Sequence, residues 1–401
     1  MTRKWILKEA VLPLEVIILF FAGLIALITG IVLFPVSRGA LPYYENGVFG
    51  IFLVLFALQM LTLGKTPFGD VKMPKFSLSI GILMASIGVI TCFIPDLLGL
   101  IPRILLFICF GLGGFCLLIQ LFFSKEKYQT WVKYGGIFHQ LIIGCVLVYT
   151  MSILIGLLVL KNQIFTVQST ALLIIIYGTV IIYLAYILGL IYAQYPEAER
   201  EYKERIELST DKAMILMMCI FMTLLGLLLI PVSFGIFPFS VSAQLGLLMF
   251  LFAIQMLALG STPIGPFPRT RLMVLLGLLF ASLGIISCII PDILVVKLTI
   301  LVGVLNVCSG VISLGKLFTP LLKKAEKEAD PRPPILRNLF YAQLTMGLLS
   351  ILFGISMLIS NLIPGLIVGI ILAANGFVLL YLLHILILID KMTGKPEPVT
   401  E

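Results

Sequence analysis

Two neighbouring stretches decide how this chain is built: Ala57–Gly69, ALQMLTLGKTPFG, and Ile80–Asp96, IGILMASIGVITCFIPD. Both recur downstream as Ala253–Gly265, AIQMLALGSTPIG, and Leu276–Asp292, LGLLFASLGIISCIIPD, each residue 196 positions after its counterpart (253 less 57). Roughly half of the positions from 57 to 96 are identical to their copies, with no gap. FPVSRG at 34–39 returns at the same offset as IPVSFG at 230–235. Self-similarity at a fixed offset marks an internal duplication.

The copies are apolar, and so is everything around them. Of the 401 residues, 61% are hydrophobic and 11% charged, with a mean hydropathy of +1.18. Soluble domains are nearer half apolar and a quarter charged, so this excess does not fit one water-soluble core. Apolar runs lie near 16–36, 47–64, 77–94, 101–123, 137–160 and 167–193, then near 213–233, 243–260, 272–290, 295–318, 339–360 and 363–389. Each is about long enough to cross a hydrocarbon layer of roughly 30 Å as a helix. Barrel strands would alternate polar and apolar residues, and these runs do not. The first run, Val16 to Val36, lacks a small-residue cleavage site and is expected to remain as the first helix. The expected fold is an all-α polytopic membrane protein of about twelve transmembrane helices. Six spans per copy is an even number, so the repeats are expected to be parallel, related by an axis along the membrane normal.

The net charge of +8 is arranged for topology. With the N-terminus inside, 23 of the 27 Lys and Arg fall in inner segments, leaving Arg38, Arg103, Lys161 and Lys297 outside. That alternation puts both termini in the cytoplasm of an inner (plasma) membrane protein, and it excludes a nucleic-acid partner. The partner implied is the lipid bilayer. The expected organisation is a first six-helix repeat over 1–193, a linker over 194–212 and a second repeat over 213–401. The linker, QYPEAEREYKERIELSTDK, and the segment LLKKAEKEAD at 321–330 space opposite charges three to four apart, as surface helices do.

Glycines recur seven apart before a proline: Gly23 and Gly30 before Pro35, Gly81 and Gly88 before Pro95, Gly277 and Gly284 before Pro291, Gly347 and Gly354 before Pro364. Seven residues is about two helical turns, so each pair lies on one face and admits a neighbouring helix. The expectation is six helical hairpins in series, three per half. Span seven keeps Gly226 and Pro231, with Cys219 at the first position, and span five keeps Gly144. This pattern resembles the HdeD-like family of small bacterial acid-resistance membrane proteins, which are similar to one half of this chain. The resemblance implies a non-catalytic multi-span protein with a role in envelope or acid stress. The twelve-span layout also resembles the major facilitator transporters. In those, the loop after span two carries an acidic–basic motif; here it reads Gly64 to Lys72 with Asp70 but no arginine cluster.

Few residues carry chemistry. Polar groups deep in a membrane are functional candidates by default. Gln59 and Gln255 are equivalent in the two copies and suit interhelical hydrogen bonding or solute contact; Ser86 and Ser282, also equivalent and candidate polar contacts, sit beside the glycines, which suits close packing. Asn306 and Asn375 suit the lining of a cavity. Asp96 and Asp292 follow proline at outer span ends, where an Asp caps the next helix or lines an outer vestibule. His139 and His384 lack carboxylate neighbours, and the seven cysteines form no Cys-x-x-Cys pair, so no metal, cofactor or catalytic residue is expected. Gly111, Gly113 and Gly114 lie mid-span and read as packing positions; Thr66-Pro67 and Thr262-Pro263 read as tight turns closing spans two and eight. The preferred reading is a non-enzymatic membrane subunit or stress protein, with a protein partner or a homo-oligomer as its setting. The alternative is a 6+6 permease for a neutral or apolar solute.

Overall fold

The apolar runs are helices. The computed structural model describes residues 12–70, 74–123, 130–161, 165–195, 209–262, 265–266, 269–324, 334–359 and 362–392. The first half holds α1 (Leu14–Ser37), α2 (Glu45–Leu63), α3 (Pro74–Phe93), α4 (Ile101–Phe123), α5 (Ile137–Leu160) and α6 (Val167–Gln194). The second holds α7 (Thr210–Ser233), α8 (Val241–Leu259), α9 (Arg271–Ile289), α10 (Val295–Lys324), α11 (Pro334–Leu358) and α12 (Gly365–Met392). All twelve are long and apolar enough to cross a membrane. Most of the linker expected at 194–212, and 325–330 of the segment expected at 321–330, lie outside the described residues.

The Thr66-Pro67 turn forms as read, and Pro263 of the second turn lies outside the described residues. Helices α2 and α8 stop at Gly64 and Gly260, whose φ of 62° and 66° suits a residue without Cβ. Each is followed by a minute antiparallel hairpin. Strands β1 (Lys65–Thr66) and β2 (Gly69–Asp70) pair Thr66 with Gly69, and β3 (Ser261–Thr262) and β4 (Gly265–Pro266) pair Thr262 with Gly265.

Helix pairing differs from the serial hairpins expected. The closest partners are α1 with α6, α2 with α3 and α4 with α5; the second half repeats this as α7 with α12, α8 with α9 and α10 with α11. The glycines set these approaches. A methyl group on Gly23 would stand 2.9 Å from the Gly178 carbonyl oxygen on α6, and one on Gly369 would stand 3.0 Å from that of Gly226. Gly88 meets Gly50 and Gly284 meets Gly246 in the same way. The glycine faces were legible, but a small face admits any small partner, so it does not choose the nearest helix in sequence.

The halves meet through α1–α3 and α7–α9. Tyr44 N donates to Ile289 O at 2.8 Å, and its counterpart Ser240 N donates to Phe93 O at 2.9 Å. Cys92 Sγ reaches Gly47 O at 3.7 Å while Cys288 Sγ reaches Ala243 O at 3.6 Å. Both pairs are related by the 196-residue offset: the backbone bond crosses between the halves in each direction, and the thiol bond is made within each half. Edge-on rings fill the rest: Phe21 against Phe250 at 5.4 Å and Phe93 against Phe221 at 5.5 Å. Helices α2 and α8 are enclosed as a result, with 83% and 89% of their spans buried against 22% for α10 and α11.

Candidate functional site

In the first half, four helices converge on Phe110. α4 contains a π-helical turn, Ile108–Leu112, in its middle. Such a turn widens the helix and is frequent at functional sites. Ser152 Oγ on α5 donates to the Phe110 carbonyl at 2.9 Å, and Gly156 sits directly over Gly111. The Phe110 ring stands edge-on to Phe56 at 5.1 Å, Phe52 at 5.3 Å and Tyr177 at 6.2 Å. The β1–β2 hairpin folds back beside this turn. The Pro67 carbonyl oxygen lies 2.7 Å from where a Gly113 methyl group would stand. Gly113 is ten residues, about 15 Å, from the α4 end at Phe123. The hairpin's polar backbone is satisfied locally. Thr66 Oγ1 donates to Gly69 O at 2.8 Å and accepts from Phe68 N, while Gln120 Nε2 donates to Phe68 O at 2.8 Å. Irregular backbone at membrane depth needs such cover.

The second half keeps the frame and changes the filling. Asn306 stands 196 positions after Phe110, and Ser350 Oγ donates to its carbonyl at 3.0 Å as Ser152 does to that of Phe110. Ser350 also lies 3.3 Å from Asn306 Oδ1, and Asn306 Nδ2 donates to Val302 O at 2.9 Å. Asn375 takes the place of Tyr177, both it and Ser350 being offset by 198 (375 less 177, 350 less 152). The adjacent glycines confirm that register: Gly178 packs on Leu27 of α1, and Gly376 packs on Thr223, the Leu27 counterpart on α7. Asn375 Oδ1 is buried without a hydrogen-bond partner. Two aromatic rings in one half are two amides in the other.

The remaining candidates scatter. Gln59 and Gln255 are half-buried and, among the described residues, neither makes a hydrogen bond, so the interhelical glue expected of them is not formed. Gln59 lies on the α2 face of Phe52 and Phe56, one turn on, and Gln255 follows Phe252 in the same way. Ser86 Oγ donates within its own helix to Ile82 O at 2.9 Å; Ser282 is half-buried. Asp96 is no helix cap: α4 starts after Leu100 without a side-chain cap. Asp96 and Asp292 instead take left-handed backbone, φ 57° and 66°, a conformation Asp tolerates better than most residues. Both are exposed, and Asp96 Oδ1 accepts from Asn46 Nδ2 at 3.1 Å. His139 and His384 are exposed. Among the described residues no group of three or more His, Cys, Asp or Glu is placed to hold a metal.

Sequence reading missed the polar ties at the helix ends. Glu15 accepts from Lys65 Nζ and Tyr192 OH, both at 2.6 Å, joining α1, the hairpin and α6. Lys212 pairs with Asp390 across α7 and α12, and Arg103 with Glu45 at 2.5 Å across α4 and α2. In the sequence Lys65 and Lys212 are two of the 23 inner-segment cations, and nothing in their spacing names a partner. The serine clamps were legible in principle, since Phe110 and Asn306 share the duplication offset.

No protein-family model, no curated protein and no solved structure matches this chain. The class rests on the fold: a multi-pass, all-α membrane protein with twelve helices, among the described residues, suited to a lipid bilayer.

Proposed function

We propose that this chain is a non-catalytic inner-membrane protein of HdeD-like type, serving as a structural membrane subunit or in envelope and acid stress. Its two six-helix halves are related by an axis along the membrane normal, with both termini in the cytoplasm. The observation that carries this reading is the reciprocal seal between the halves, where Tyr44–Ile289 and Ser240–Phe93 bonds flank packed phenylalanines. A carrier that rocks one half against the other needs a cavity on that axis, and here the axis is filled with buried side chains. The lysine and arginine distribution supports the orientation. Native mass spectrometry of the protein released from mild detergent tests the role: a defined oligomer or a stoichiometric second polypeptide is expected. A single chain under every detergent and concentration would sink the reading. A permease for a neutral solute is the second reading, favoured by the buried, unpartnered amide oxygen of Asn375. Its path would run within one half.

A further inference from the structure

We propose that this chain pairs with a second copy of itself through the lipid-facing side of α12, where Tyr381 of each copy bonds His384 of the other. The inference rests on the subunit reading and names its partner. Three observations carry it.

First, α12 turns polar tips toward hydrocarbon. Tyr381 is 45% exposed and His384 is exposed, and among the described residues neither makes a hydrogen bond. Centring a hydrocarbon layer of roughly 30 Å on the span Gly365–Asp390 puts Tyr381 about 10 Å and His384 about 5 Å inside the edge nearer Asp390. Helical side chains lean toward the N-terminus of their helix, here away from that edge and its headgroups. Lipid tails offer no hydrogen-bond partner at this depth, and a polar group left unpaired there is costly.

Second, the same feature stands at the duplicate positions. Tyr183 and Tyr186 on α6 precede Tyr381 and His384 by 198 residues (381 less 183, 384 less 186), the register of Gly178 and Gly376. They are 47% and 62% exposed and likewise make no hydrogen bond among the described residues. Both halves thus turn a polar-tipped pair outward at one depth. Exposed apolar residues flank each pair: Leu172 and Leu190 on α6, Ile370, Phe377 and Leu388 on α12.

Third, hydrogen-bond complementarity selects the occupant. A phenol donates from its hydroxyl, and a neutral imidazole keeps one ring nitrogen as an acceptor. Tyr381 and His384 are three residues apart on one face, about 4.5 Å along the axis. A two-fold axis along the membrane normal holds two copies at equal depth and sets their α12 helices side by side. Each tyrosine then meets the other copy's histidine, and the bond is made in both directions. Helix α6 has only phenols to offer. It also belongs to the half with less surface left over: 39% of each of the spans α4, α5 and α6 is buried, against 22%, 22% and 33% for α10, α11 and α12.

The test places the full chain, carrying donor or acceptor fluorophores on an appended C-terminal tag, in phosphatidylcholine liposomes over a range of protein densities. Energy transfer is expected to rise to the plateau of a dimer. Each interhelical hydrogen bond in a membrane carries a factor of about three, so Tyr381→Phe, which removes both, should move the midpoint about eightfold to higher density. His384→Phe should do the same, and Tyr183→Phe should leave the curve unchanged. All three variants should melt with the unaltered protein, since these tips bond nothing within the described chain; if one α12 variant does not fold, the other decides. A dimer that ignores the α12 substitutions, or weakens as much with Tyr183→Phe, overturns this interface and leaves the subunit reading standing. A chain that stays single at every density also overturns the interface, and a stoichiometric second polypeptide in native mass spectrometry would then still uphold the subunit reading.

Discussion

Replacing Gly47 by alanine would put a methyl carbon 1.9 Å from the Cys288 carbonyl oxygen on the opposite half. Real Cβ contacts essentially never fall below 3.0 Å, so α2 and α9 must part by about 1.1 Å (3.0 less 1.9). The obstacle is helical backbone, which does not step aside as a side chain would. Overpacking of this kind costs about 1–3 kcal/mol, and the rigid neighbour places this case toward the upper end. Alanine's better helix propensity returns less than about 1 kcal/mol, and less still in a first turn. A net loss of about 2 kcal/mol remains. At roughly 2–4 °C per kcal/mol for chains of 150–250 residues, that loss corresponds to a fall of about 4–8 °C in the melting midpoint, and to less in a chain of 401 residues. The assay is thermal unfolding in detergent by intrinsic fluorescence. Gly315→Ala is the control, because nothing lies within 4 Å of its added methyl group. It should melt at or slightly above the unaltered protein. Equal midpoints for the two variants would refute the close approach of the halves at Gly47.

Three further outcomes follow from the same packing. Ser152→Ala leaves the Phe110 carbonyl without its side-chain donor, and thermal unfolding should register a loss of about 0.6–1.7 kcal/mol, with Ser350→Ala losing a similar amount. Burial pushes the phenols of Tyr43 and Tyr44, in the loop before α2, well above the ordinary tyrosine value of 10.0. The folded state therefore keeps protons that the unfolded state releases above that value, and stability should be full below pH 10 and fall as pH rises beyond it. Tyr44→Phe should flatten that decline in melting scans at alkaline pH; an unchanged slope would count against it. Single cysteines placed at Arg38 and Lys297 should react with a membrane-impermeant maleimide in intact cells, while one at Lys203 should react only after lysis.

The sequence was most informative where physics is one-dimensional. Span positions follow from runs of apolar residues, and the Thr66-Pro67 turn follows from local backbone preferences, so each is legible without knowing any neighbour. Pairing of α1 with α6 was not, because Gly23 and Gly30 announce a close approach without naming the helix that makes it. The αL conformation of Asp96 and Asp292 was missed for a similar reason: proline followed by Asp suits a cap and a turn equally, and only the chain's onward path decides. Among the candidate residues, Gln59 and Gln255 drew attention because both copies keep them, yet the informative positions are those where the copies differ. Asn306 and Asn375 were noted as polar; their meaning lies in the rings of Phe110 and Tyr177 that they replace. That comparison needs the two-residue slip between the offsets at Asn306 and Ser350, which packing makes plain and spacing alone does not.

The account rests most heavily on the junction of the halves, where Gly47 lies against the Cys288 backbone while its own carbonyl accepts from Cys92, so that both cysteines flank one glycine. A variant keeping only Cys92 and Cys288, with a protease site inserted between Arg200 and Glu201, allows a direct measurement. After mild oxidation with copper phenanthroline and cleavage, the two fragments are expected to migrate together on a non-reducing denaturing gel and to separate on reduction. Fragments that separate without reductant, under conditions that oxidise a control pair known to be adjacent, would contradict the proposed meeting of the halves.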